Sequence, residues 1–95
     1  MKTIKFQCTD CYEAEKLASL LSVQKDNSVW VSAVLAMAGN EIVIQLKDLS
    51  SHAVILKDEE TVARLGSFLM DVLKGKITIY SSCFDGSIAG ITILD

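Results

Sequence analysis

Two stretches forty-eight residues apart begin in the same way, and that correspondence narrows the possible folds more than any other feature of the chain. Asp10 and Asp58 each stand where a helix N-cap belongs, ahead of apolar stripes at helical spacing. The first stripe is Ala14, Leu17, Ala18 and Leu21, with Glu13 three residues after the cap; the second is Val62, Leu65, Leu69, Val72 and Leu73. Sliding the chain against itself by forty-eight also sets Leu17 on Leu65, Ser19 on Ser67, Leu21 on Leu69 and Lys16 on Arg64. Asn27 falls on Gly75, the two residue types best suited to a left-handed helix end. Phe6 falls on Val54 and Val31 on Ile79, so the correspondence extends beyond the helices.

Around each helix the pattern switches from a period of 3.6 to a period of two. Thr3, Lys5 and Gln7 alternate with Ile4, Phe6 and Cys8, a strand with one wet face that leads into a helix ending near Asn27. Val29 to Met37 and Glu41 to Lys47 are β-rich runs separated by Gly39-Asn40, which tolerates the positive φ angles of a tight hairpin. A short run, Ala53 to Leu56, leads into the second helix, which Gly75 stops. Lys76 to Phe84 and Ser87 to Leu94 then flank Asp85-Gly86, a strong hairpin signal. The expected fold is α+β. Two β-α-β-β halves, roughly residues 1–49 and 50–95, form a mostly antiparallel sheet of about six strands with two helices packed on one face. Paired halves of this kind are similar in layout to the vicinal-oxygen-chelate and TATA-binding-protein families, yet the chain carries no motif of either.

Composition limits what such a domain does. With 95 residues, 51% hydrophobic, no Pro and no linker-like stretch, the chain reads as a single domain able to bury a core without staples. The net charge of −3 leaves no basic field to gather phosphates, which argues against a nucleic-acid partner. The N-terminal residues alternate in polarity where a signal peptide needs an apolar run, and the longest uncharged stretch, Ser28 to Asn40, is too short to span a bilayer. A cytoplasmic protein without a membrane partner is expected. Three cysteines in a reducing compartment are expected to be free thiols.

Strict alternation carried through both hairpins turns Val29, Val31, Ala33, Leu35, Met37, Ile79 and Cys83 toward the helices, continuing into Ile42, Ile44, Leu46 and Ile88. The opposite face then presents Trp30, Val34, Val43, Tyr80, Phe84, Ile91 and Ile93 among small and hydroxyl-bearing residues, with almost no charge. Two helices cover only one face of a six-stranded sheet, and an apolar, aromatic, charge-poor surface has the composition of an interface centre. Covering ~500 Å² of it is worth on the order of 12 kcal/mol before association costs, enough to drive binding of a protein partner or a homodimer. Aromatics on a sheet also suit RNA platforms, but no Lys/Arg cluster accompanies these.

The chemistry-bearing residues are sparse. Cys8-Thr9-Asp10-Cys11 places a CxxC at a strand-to-helix junction, where thioredoxin-like and glutaredoxin-like proteins keep their dithiol and a helix N-terminus stabilises a thiolate. Those proteins set a cis-Pro beside the dithiol; this chain has no Pro, Asp10 opposes thiolate formation, and both cysteines fall in phase with the core. His52 and Cys83 complete a Cys₃His set in composition only, without zinc-knuckle spacing. Asp58, Glu59 and Glu60 suit a helix start, and a lone His supports no Ser-His-Asp arrangement. The sequence therefore points to a non-enzymatic interaction module, a small inhibitor, adaptor or regulatory protein without cofactor or metal. A thiol-based redox or metal-binding role at Cys8 and Cys11 is the alternative.

Overall fold

Both helices begin at their aspartates. In the computed structural model, which describes residues 1–22 and 30–94, the Asp10 carboxylate accepts from the Glu13 backbone N–H at 2.9 Å and the Asp58 carboxylate from the Thr61 N–H at 2.8 Å. These caps open α1 (Cys11–Leu20) and α2 (Glu59–Leu73) and satisfy donors that lack an intrahelical partner. Helix α2 closes as the sequence predicts: Gly75 takes φ +79°, its N–H donates to Val72 O, and the Lys76 N–H donates to Asp71 O. Helix α1 stops at Leu20, well before Asn27, because Leu21 leaves helical geometry at φ −99°, ψ 8° while its side chain stays buried. Asn27 and Val29 lie outside the described residues.

The strands are β1 (Lys2–Gln7), β2 (Val31–Ala38), β3 (Glu41–Leu46), β4 (Ser51–Ile55), β5 (Thr78–Asp85) and β6 (Ile88–Leu94). They form two antiparallel three-stranded sheets, β1-β6-β5 and β2-β3-β4. Gly39-Asn40 turns one hairpin, with Ala38 opposite Glu41. The other turns at Gly86-Ser87, one residue beyond the expected Asp85-Gly86, with Asp85 opposite Ile88. Gly39 and Gly86 share φ +59°, the left-handed geometry such loops require.

The two halves are built from each other. Strand β1 pairs with β6 and β4 pairs with β3, so the opening strand of each half lies against the hairpin of the other. The helices exchange in the same sense: α1 packs on β5 and β6, α2 on β2 and β3. The sheets meet at a single bridge between Cys8 and Leu56, flanked by Thr9 N–H to Ile55 O and Lys57 N–H to Gln7 O. Each of these contacts joins residues at the forty-eight-residue offset or maps onto the other under it, so a pseudo-twofold axis passes through the bridge. One contiguous apolar cluster, including Phe6, Leu17, Ile44, Leu56, Leu65 and Ile91, runs under both helices. Neither half encloses a core of its own.

The correspondence changes by one residue along the hairpins. Strand β5 has one register shift against β6, between Ile79 and Ser81, whereas β2 has two against β3, between Val31 and Ala33 and between Val34 and Ala36. The second shift inserts Leu35, which has no counterpart in β5, and beyond it Ala36, Met37 and Gly39 match Cys83, Phe84 and Gly86.

Candidate functional site

The bulges decide which residues reach the surface. A one-residue slip moves every following side chain to the other side of a sheet. Past the bulge at Tyr80, Ser82 rather than Cys83 turns toward α1, and its hydroxyl donates to Ala18 O at 2.6 Å. Ser82 lies opposite Ile91, and Ile79 opposite Ile93, so both isoleucines of β6 share the helix side. Ile91 is 0% and Ile93 9% exposed, and both belong to the core rather than to the interface expected from strict alternation. In β2 the two bulges likewise turn Val31, Val34 and Met37 to the side of Leu46, Ile44 and Ile42.

The expected interface residues therefore do not share a face. Trp30 and Val34 are half-buried against the core. Val43 is half-buried on the outer side, in register with Ala36 and Ala53. Tyr80 and Phe84 are exposed on β5. The outer side itself is largely small and polar: Thr3, whose hydroxyl bonds that of Thr92 at 3.0 Å, with Lys5, Gly90 and Cys83 in one sheet and Ala33, Ala36, Gln45 and Ser51 in the other.

Large apolar side chains gather instead at two seams where an edge strand meets the helix above it. On the α2/β2 seam Leu35, Met37, Met70 and Leu73 are between 38% and 54% exposed. On the α1/β5 seam Phe84 is open, and Ala18, Ser19, Ser22, Ser82, Cys83 and Phe84 line a groove of about 400 Å³; Tyr80, the bulged residue of the same edge strand, is exposed as well. On the α2/β2 side a smaller groove of about 190 Å³ is lined by Met37, Ala38, Gly39, Glu59, Val62 and Ala63, and Met37 lies over Gly66, its sulfur too close to leave room for a Cβ there. Met37 and Phe84 are equivalent positions, opposite Ile42 and Ala89. Sequence reading missed the seams, yet both residues stand two places before the glycine of their hairpin, and that spacing is the signal available to find them.

The thiols occupy unlike surroundings. Cys8 is buried at the bridge, and burial, followed by the Glu13 and Asp10 carboxylates, pushes its thiol up to about 11. Cys11 is exposed at the first residue of α1, and Cys83 is exposed on β5. Glu13 pairs with Lys16, whose ammonium also donates to Ala53 O at 2.8 Å and lies 5.1 Å from the Tyr12 ring centre. His52 joins Tyr12, Glu15, Lys16, Ser19 and Leu20 around a cleft of about 350 Å³. Its Nε2 is 2.9 Å from Ser50 Oγ, which donates to Asp48 at 2.5 Å. The serine thus stands between the acid and the imidazole, unlike a catalytic triad, in which the imidazole is central. Hydrogen bonds from the Ser50 hydroxyl and N–H hold the Asp48 carboxyl below its usual range.

Among the described residues no group of three or more His, Cys, Asp and Glu side chains is placed to hold a metal ion, and no helix is long and apolar enough to cross a membrane. Comparison with protein-family models, curated proteins and solved structures gives no match for this chain.

Proposed function

We propose that the chain is a protein-interaction module, a small inhibitor, adaptor or regulatory protein that acts by binding rather than by catalysis. The observation that carries this reading is the concentration of exposed large apolar side chains on the two edge strands and the helices beside them, with Phe84 and Tyr80 on β5 and Met37 and Leu35 on β2. On the α1/β5 seam the occupant is an extended segment of another protein. Strand β5 is an edge of its sheet and keeps continuous register from Ser81 to Asp85, past its one bulge, so the outward N–H and C=O groups of that stretch are open to an added strand, and the 400 Å³ groove beside Phe84 takes one apolar side chain of that segment. The hydroxyls of Ser19 and Ser22 on the groove wall supply polar recognition. Against the thiol alternative stands the raised Cys8 pKa, which opposes the thiolate that redox or metal chemistry needs.

The test is co-purification of the tagged chain from its native cells, comparing the wild type with Phe84→Glu and Tyr80→Lys. The reading expects a stoichiometric protein retained by the wild type and lost from both variants, with unchanged circular dichroism. Retention of that protein by both variants, or no stoichiometric protein at all, overturns it.

A further inference from the structure

We infer that the α2/β2 seam seats a second copy of this chain, with α2 against α2 in antiparallel sense about a twofold axis near Gly66. This goes beyond the interaction reading above and stands on the other seam. Helix α2 has one lateral flank already engaged: the Arg64 guanidinium donates to Lys5 O at 2.6 Å and lies 5.1 Å from the Phe6 ring centre, and the Phe68 ring lies 5.5 Å from that of Phe6. The helical repeat places Glu59, Ala63, Gly66, Met70 and Leu73 on the opposite flank, above the open edge of β2 where Met37 meets Gly66.

Charge selects a like chain and its direction. Glu59 begins this flank and Lys74, the C-cap residue four places after Met70, lies just past its end; both are exposed, and neither forms an ion pair among the described residues. They stand seven and eight residues from Gly66. An antiparallel copy therefore sets Glu59 against Lys74 of the second copy, twice over, and Ala63 against Met70 of the second copy. A parallel copy would oppose like charges and align the two helix dipoles. Ala63 and Gly66 permit an interaxial distance at the short end of the usual 8–10 Å. Leu35, Met37, Met70 and Leu73, half-exposed on both copies, bring the buried surface toward the ~1,200 Å² at which specific interfaces begin. The bulges after Val31 and Val34 bend the edge of β2 away from a continuous ladder, so the helices rather than the strands make the contact.

Sedimentation equilibrium of the full chain, up to concentrations on the order of 100 µM, provides the test. The wild type is expected to dimerise reversibly and Met70→Lys to be monomeric with unchanged circular dichroism. Glu59→Lys and Lys74→Glu are each expected to weaken the dimer about tenfold, and the double swap to restore it. A monomeric wild type, a dimer indifferent to Met70→Lys, or a double swap no tighter than its single parents overturns the inference. So does a dimer abolished by Phe84→Glu, which would place the second copy on the other seam.

Discussion

Raising the pH is expected to loosen this protein through one buried thiol. Cys8 sits at the bridge between the sheets, its N–H donating to Ser87 O at 2.7 Å, with the Glu13 and Asp10 carboxylates close enough to oppose ionisation. In the unfolded chain the thiol ionises near 9.0, in the folded chain near 11. Between those values the unfolded state holds fewer protons than the folded one, so stability is complete below about pH 9 and falls as the pH rises toward 11. Two pKa units correspond to about 2.7 kcal/mol in full, of which about 2 kcal/mol is lost by about pH 10.5. Urea unfolding at about pH 8 and about pH 10.5, on the wild type and on Cys8→Ala, isolates the effect, because every other ionisable group is common to both proteins. At the lower pH the variant is expected to be less stable by about 1–2 kcal/mol for the lost sulfur. At the higher pH that deficit should close. Parallel pH dependence in the two proteins would refute the reasoning and reopen a reactive role for the Cys8 and Cys11 pair.

Three further outcomes are expected. Ile91→Ala should cost about 2–5 kcal/mol in urea unfolding, whereas Tyr80→Ala should stay within about 1 kcal/mol; strict alternation, which sets both on one outer face, implies similarly small costs for the two. Asp58→Ala should cost about 1 kcal/mol near neutrality. The Thr61 hydroxyl and N–H hold the Asp58 carboxyl below its usual 3.8, so the wild-type advantage is present above that value and fades as the pH falls below it; an advantage that persists in strong acid would contradict the cap. Leu49 is exposed with φ +71° in the β3–β4 loop, so Leu49→Gly should raise the melting temperature through relief of about 1 kcal/mol, and a lowered value would show that the leucine is held by contacts worth more than its strain.

What could be read from the residues divides along the range of the interactions. The caps at Asp10 and Asp58, the Gly75 stop, and the forty-eight-residue correspondence are local or translational signals, and each has its counterpart in the fold. A glycine inside an amphipathic helix calls for a packing reason, and at Gly66 the side chain of Met37 supplies it. The faces of β2, β5 and β6 were not legible. Alternation is informative only while the register holds, and the extra residues at Tyr80, Ser32 and Leu35 have no mark in a run of apolar and hydroxyl side chains. Strict alternation thereby sets Ile91 and Ile93 on the surface, Met37 in the helix-facing core and Phe84 on the opposite face, and so separates the two residues that mark equivalent seams. The exchange of hairpins between halves is equally silent in sequence, because pairing partners separated by more than eighty residues, such as Lys5 and Gly90, leave no local trace.

That exchange sets the order in which a growing polypeptide can assemble. When β3 has left the ribosome, its hairpin with β2 still lacks the α2 lid, and β1 has no strand to pair with until β6 is made. Vectorial synthesis therefore leaves Phe6, Ile42 and Ile44 uncovered until almost the whole domain is present, and a chain released after β4 has no way to sequester them. Closing the first strand onto the last is a long-range loop closure, which makes folding a late and concerted event rather than a stepwise one.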